Sequence, residues 1–138
     1  MKYILESIKN SPIIQCKKYQ FIKYSFGEEG TYIDTQMIRL IKDNFMEFYN
    51  SLSVKPDYFV ATEPGSHTWG LLLAEEFGKP LNIIRTQNPR TSQNQVIYQC
   101  RTGYSVRNFH FDNFNKGDKV VIVEDVISTG ATIQLLLD

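Results

Sequence analysis

No stretch of this chain stays apolar for the roughly 18 residues that a membrane span requires. The opening MKYILESIKN turns charged too early for a signal peptide. Both absences point to the cytoplasm. Charge of one sign is missing as well. Fifteen basic residues balance 15 acidic ones, for a formal net charge of zero. Bulk electrostatic attraction to nucleic acid or to an anionic membrane is therefore not expected. Cysteine is scarce: Cys16 and Cys100 form no CxxC pair and read as reduced thiols. There is no internal repeat and no low-complexity tract. GxGxxG does not occur, so a dinucleotide fold has no support, and the Walker lysine pattern GxxxxGK[ST] is absent too.

The 138 residues of the chain, 42% hydrophobic, suit one globular α/β domain. Residues 3–10 read as a short helix ended by Ser11-Pro12, and 13–33 as short strands and turns. Residues 35–50 form the clearest helix. Asp34 or Thr35 can cap it, and Met37, Ile41, Phe45 and Phe48 share one face. Next come a strand at 57–62, a loop at 63–70, a helix at 71–77 closed by Gly78, and a strand at 81–85. That order is a βαβ unit with parallel strands. Residues 86–95 are polar and aperiodic, an exposed loop. Residues 96–100 and 108–111 can pair as a hairpin through 102–105. Residues 119–123 are an all-apolar strand, as in a sheet covered on both faces. Residues 131–137 start a helix. In a mainly parallel sheet, ligands bind beyond the carboxyl ends of strands. Two loops lie there, 63–70 and 124–132.

The second loop carries the chemistry. In VVIVEDVISTGAT, 120–132, Gly130 and Ala131 let backbone approach a ligand closely. Successive N–H groups and the following helix N-terminus favour an anion. Ser128, Thr129 and Thr132 add hydroxyl donors. The result is a phosphate cradle without a positive side chain. Glu124 and Asp125 are poor phosphate ligands, so they face another part of the ligand. Neighbouring hydroxyls can donate to them. Phosphate at one end and a vicinal diol at the other is the layout of ribose 5-phosphate. The plainer alternative is a strand-end acidic pair followed by a capped helix.

VVIVEDVISTGAT resembles the phosphoribosyl-pyrophosphate (PRPP) signature of the type I phosphoribosyltransferases. ESIKNSPII, KPDYFVATE, GKPLNIIR, TGYS and KGDKVVIVEDVISTGAT resemble, in order, the small purine enzymes, which include adenine and archaeal-type hypoxanthine enzymes. The resemblance implies a doubly wound, mainly parallel α/β sheet. It implies a hood-like segment over 1–33, a core over 34–138 and a homodimer. It also implies transfer of a phosphoribosyl group from PRPP to a purine base in nucleotide salvage. Val126, Ile127, Ser128, Thr129, Gly130, Ala131 and Thr132 would then hold the 5-phosphate, and Glu124 and Asp125 the ribose hydroxyls. Glu63, Pro64, Gly65, Ser66 and Arg85 would hold pyrophosphate. The loop departs from the family layout: its glycine comes one position early, Ser66 stands in its place, and Pro64 and Trp69 are unusual. Thr86 replaces a frequent lysine, and Arg90 in loop 86–95 could supply that charge as the loop closes over the reaction. Mg²⁺ would arrive on PRPP, with Glu124 and Asp125 as its possible protein contacts rather than a full protein cage.

Other residues carry plainer expectations. His67 reads as a surface-loop histidine with phosphate contact as its alternative, His110 as structural, and Trp69 as packing. Ser128 stands where some purine enzymes place an acid for the base proton. Family members would finish the helix after 131 and add a further strand or two, so the sequence reads as a fragment or as dependent on another chain. A non-catalytic PRPP- or nucleotide-binding regulatory module of the same fold is the alternative function. A remnant with neither activity is a third.

Overall fold

The structure, a computed structural model, describes residues 2–16, 19–27, 32–86, 95–101 and 106–137. It divides into two compact units, Met1–Lys55 and Pro56–Asp138.

In the first unit, helix α1 (Lys2–Lys9) precedes an antiparallel pair, β1 (Ile13–Cys16) and β2 (Tyr19–Ile22), and then helix α2 (Thr35–Ser51). Asp34 is the cap of α2, its Oδ1 accepting the Met37 amide at 2.8 Å. That amide is the main reason the Asp34 carboxyl lies below its ordinary range. Met37 is buried, while Phe48, expected on the same face, is half exposed. Phase does not explain this, since at 100° per residue i+11 returns to within about 20° of Met37. Phe48 lies instead in the last turn of α2, which ends at Ser51.

The second unit is the α/β part. Strands β3 (Tyr58–Thr62), β4 (Leu81–Ile84) and β7 (Val120–Val123) form a parallel sheet in the order β4-β3-β7. Helix α3 (Ser66–Phe77) crosses from β3 to β4. Strands β5 (Val96–Arg101) and β6 (Val106–Phe111) make the expected antiparallel hairpin, and helix α4 (Ala131–Leu137) follows β7. The hairpin turn, 102–105, lies outside the described residues.

Alternation along β3 explains why both faces are apolar. On one side Phe59 stacks on Phe77 of α3 at 5.9 Å, and Gly70 of α3 lies against Ala61. On the other, Val60 joins Ile84, Cys100 and Phe109, with Ala131, Leu135 and Leu136 of α4 packed over them. A sheet strand covered by helices on both faces is the doubly wound arrangement. Cys100 is a free thiol in this core, while the side chain of Cys16 lies outside what is described.

Helix α3 begins at Ser66 and not at residue 71. SHTWG carries apolar contact as well as polar residues: Ser66, Trp69 and Gly70 are all buried. Packing against the sheet overrides the weak local propensity of that stretch. Trp69 is thus a packing residue, as expected. At the other end Gly78 adopts φ +59° and closes the helix, with Lys79 N donating to Ala74 O at 2.9 Å.

A polar clasp joins the strand starts. Tyr58 Oη donates to Asp118 Oδ2 at 2.8 Å, and the Asn115 amide donates to the same oxygen. Burial and that carboxylate push the Tyr58 phenol up to about 12. The Tyr58 hydroxyl holds the Asp118 carboxyl below 3.8. A depressed carboxyl favours the fold above its unfolded pKa, and that contribution is lost as pH falls through the folded value. Tyr58→Phe is therefore expected to raise the Asp118 pKa toward 3.8, read by NMR titration, and to move acid unfolding to higher pH. An unchanged Asp118 titration would show that the hydroxyl does not set it.

Candidate active site

Parallel pairing places the ends of β3 and β7 side by side, with Ala61 opposite Val123. The next residues, Thr62 and Glu124, therefore leave the sheet as neighbours. Thr62 Oγ1 donates to Glu124 Oε2 at 2.9 Å, and Ser66 Oγ stands 3.5 Å from the same oxygen. Ser66 Oγ also accepts the Thr62 amide at 3.0 Å and lies 2.9 Å from Thr62 Oγ1. Both hydroxyls are enclosed, at 3% exposure for Thr62 and 0% for Ser66.

Asp125 meets the same turn from the other side. A Cβ built on Gly65 would lie 2.3 Å from Asp125 Oδ2. Gly65 therefore serves close approach, since its own φ of −86° is open to any residue. The turn 63–66 thus touches both acids. This is the carboxyl edge of the sheet, where both sequence-predicted loops were expected to converge.

Ser66 reads differently in three dimensions. Its hydroxyl faces the interior, so what it offers an anion is the N–H of the first residue of α3. The Glu63–Pro64 peptide is cis. Glu63 forms an ion pair with Arg85 through Oε1, and its Oε2 stands 3.4 Å from the Thr86 amide. Arg85 is therefore partnered by a carboxylate in this state. Its guanidinium is half exposed, while the Glu63 side chain is largely covered. His67 lies in the first turn of α3, with Nδ1 buried and without a hydrogen-bond partner among the described residues. His110 is buried. Its amide donates to Arg85 O at 2.9 Å, and its Nδ1 is 3.3 Å from Gln95 Oε1. It ties β6 to the end of β4 and is structural, as expected.

Residues 126–130 form a turn that leads into α4, whose first two residues are Ala131 and Thr132. Gly130 takes φ +79°, a backbone region that favours glycine. The Ala131 amide points to Thr129 Oγ1 at 3.4 Å, and Gln134 N donates to Gly130 O. Val126, Ile127, Ser128 and Thr129 are exposed, while Gly130, Ala131 and Thr132 are half-buried. Arg90 and most of the expected closing loop, 87–94, lie outside the described residues. A cleft of about 410 Å³ beside β4 includes Arg85, Asn82 and Asn113 but neither acid.

Sequence reasoning missed Thr62 and the contact of Gly65 with Asp125. A threonine and a serine four apart across a strand end were the available signal. The parallel register that brings Glu124 beside them was not readable.

The family described as phosphoribosyl transferase domain matches residues 31–138. The hypoxanthine/guanine phosphoribosyltransferase of Aciduliprofundum boonei is 30% identical over 139 residues, which cover 100% of this chain and 73% of that protein. Adenine phosphoribosyltransferase from Saccharomyces cerevisiae, solved with D-2,5-dideoxy-2,5-imino-altritol 1,6-bisphosphate and adenine, superposes with a TM-score of 0.75. The identity is 19%, and the match covers 96% of this chain and 76% of that one. The Trypanosoma brucei adenine enzyme, solved with AMP, pyrophosphate and ribose-5-phosphate, gives a TM-score of 0.59 at 26% identity, over 72% of this chain and 44% of that one. Sequence motif, sheet order and both kinds of relative agree: the chain belongs to the phosphoribosyl transferase domain family, in its purine group.

Proposed function

We propose that this purine phosphoribosyltransferase binds PRPP across the carboxyl edge of β3 and β7 and transfers its phosphoribosyl group to a purine in nucleotide salvage. The observation that carries this reading is the acid pair. Glu124 and Asp125 lie against the turn 63–66 on one side, and the small-residue segment 126–132 follows them on the other.

In this reading Val126, Ile127, Ser128, Thr129, Gly130, Ala131 and Thr132 hold the 5-phosphate through backbone N–H groups and hydroxyls. Glu124 and Asp125 accept hydrogen bonds from the ribose hydroxyls. The bond from sugar C1 to the pyrophosphate oxygen breaks, and its electron pair leaves with pyrophosphate. A purine nitrogen supplies the pair for the new C–N bond, and its proton passes to water. Positive charge builds on the sugar as the first bond loosens, and the two carboxylates beside it stabilise that charge. Glu63, Pro64, Gly65 and Ser66, through the start of α3, and Arg85 receive the pyrophosphate. Arg90 adds charge from the loop.

Mg²⁺ fits the oxygen donors here. Glu124 and Asp125 would hold it together with PRPP oxygens and water, in keeping with the preference of this ion for few protein ligands. Among the described residues no group of three or more His, Cys, Asp or Glu that could hold a metal ion is assembled. When bound, Mg²⁺ neutralises charge on the leaving pyrophosphate. The reading also takes the protein as a cytoplasmic homodimer. No helix among the described residues is long and apolar enough to cross a membrane.

The test is calorimetric titration of PRPP with Mg²⁺, followed by pyrophosphate release with adenine, hypoxanthine or guanine. Binding with release for one of the bases is the expected outcome. The departures of loop 63–70 and of Thr86 from the family layout favour a second reading, a non-catalytic PRPP- or nucleotide-binding regulatory module. Binding without release for any base would support that module. No binding would refute both.

A further inference from the structure

The geometry points to Thr62 and Ser66 as positioning residues for Glu124, acting through a buried chain of hydroxyls. The inference rests on the ribose-binding role proposed above for Glu124.

Counting protons makes the case. Thr62 has one hydroxyl proton, and Glu124 Oε2 at 2.9 Å is the acceptor that gains most from it. With that proton committed, Thr62 Oγ1 can only accept from Ser66 Oγ, 2.9 Å away. Ser66 in turn has one proton for three nearby acceptors: Thr62 O at 2.8 Å, Thr62 Oγ1 and Glu124 Oε2. Ser66 Oγ itself accepts the Thr62 amide. The pair is thus held by the backbone of β3, the first turn of α3 and the carboxylate of Glu124. Neither hydroxyl reaches solvent, so neither binds substrate directly. What they can do is hold one carboxylate oxygen in place and leave the carboxylate oriented before PRPP arrives. A group held in this way loses little freedom on binding. Thr62 is rigid at χ1, which suits it to that task better than serine.

A cycle of variants in the whole chain tests this, with kcat/KM for PRPP from pyrophosphate release and PRPP affinity from calorimetry. Thr62→Val keeps the shape and removes the hydroxyl. It is expected to lower kcat/KM for PRPP by about 10- to 100-fold, the worth of one hydrogen bond to a charged group, while KM for the base holds. Thr62→Ser restores most of the loss. In a Glu124→Gln background Thr62→Val is expected to add about two-fold or less, because two residues that act as one do not add. Equal losses in both backgrounds, or no loss in either, would overturn the inference. If Thr62→Val does not fold, Ser66→Ala takes its place in the cycle and is read the same way. Without turnover, the calorimetric affinities alone complete the cycle. If Glu124→Gln leaves PRPP affinity unchanged, the ribose reading fails and this inference falls with it. If Glu124→Gln weakens PRPP but the hydroxyl variants do not, only the positioning role fails.

Discussion

Asp125→Asn combined with Thr132→Ala is expected to take PRPP binding below detection in a calorimetric titration. The two residues serve opposite ends of the ligand in the proposed site: Asp125 faces the diol and Thr132 the 5-phosphate. Each substitution removes a hydrogen bond between a charged group and its partner, worth about 1.5–3 kcal/mol. If the two contacts act independently the losses add, which gives about 3–6 kcal/mol, or roughly 10²- to 10⁴-fold in Kd. Stability should change far less, because Thr132 is only half-buried and Asn keeps the size of Asp. A double variant that binds PRPP as the parent does would remove the ribose 5-phosphate site from residues 124–132.

Gly65→Ala is expected to lower kcat/KM for PRPP by about 10²-fold with little change in melting temperature, as a displacement near 1 Å can do in a positioned site. The reason lies in which atom the new methyl meets. Gly65 sits in the αR region, at φ −86° and ψ −55°, so alanine brings no backbone strain. The added Cβ would come within 2.3 Å of Asp125 Oδ2 and 2.7 Å of its Cγ. A carboxylate at the end of a short side chain can swing aside, so the fold is largely spared. The swing, however, removes Asp125 from the position its proposed role requires. Steady-state kinetics beside a thermal melt separates the two effects. A fall in melting temperature without loss of activity would mean that Gly65 serves packing alone.

Much of the architecture was legible before any coordinates. The apolar run of β7 and the order strand, helix, strand across 57–85 both specify a buried parallel sheet, because period and composition act locally. Gly78 and Asp34 marked helix ends for reasons contained in single residues: a positive φ and a short side-chain acceptor. The start of α3 was not legible. SHTWG has weak helix propensity, and only burial of Trp69 and the close approach of Gly70 to Ala61 make it helical from Ser66 onward.

The site divides in the same way. Residues 120–132 by themselves determined a strand, an acid pair and an anion-compatible turn, since those properties belong to neighbours in the chain. Only the tertiary structure decided how the acids are held. Glu124 and its hydroxyl partners are 62 and 58 residues apart in sequence, and the β3–β7 register alone brings them together. The same holds for Gly65 against Asp125, and for Glu63 against Arg85 across the β3–α3–β4 crossover. A motif names the groups that are present. Contacts between crossover loops depend on which strands pair and in what register, and that is set by the packing of the whole sheet.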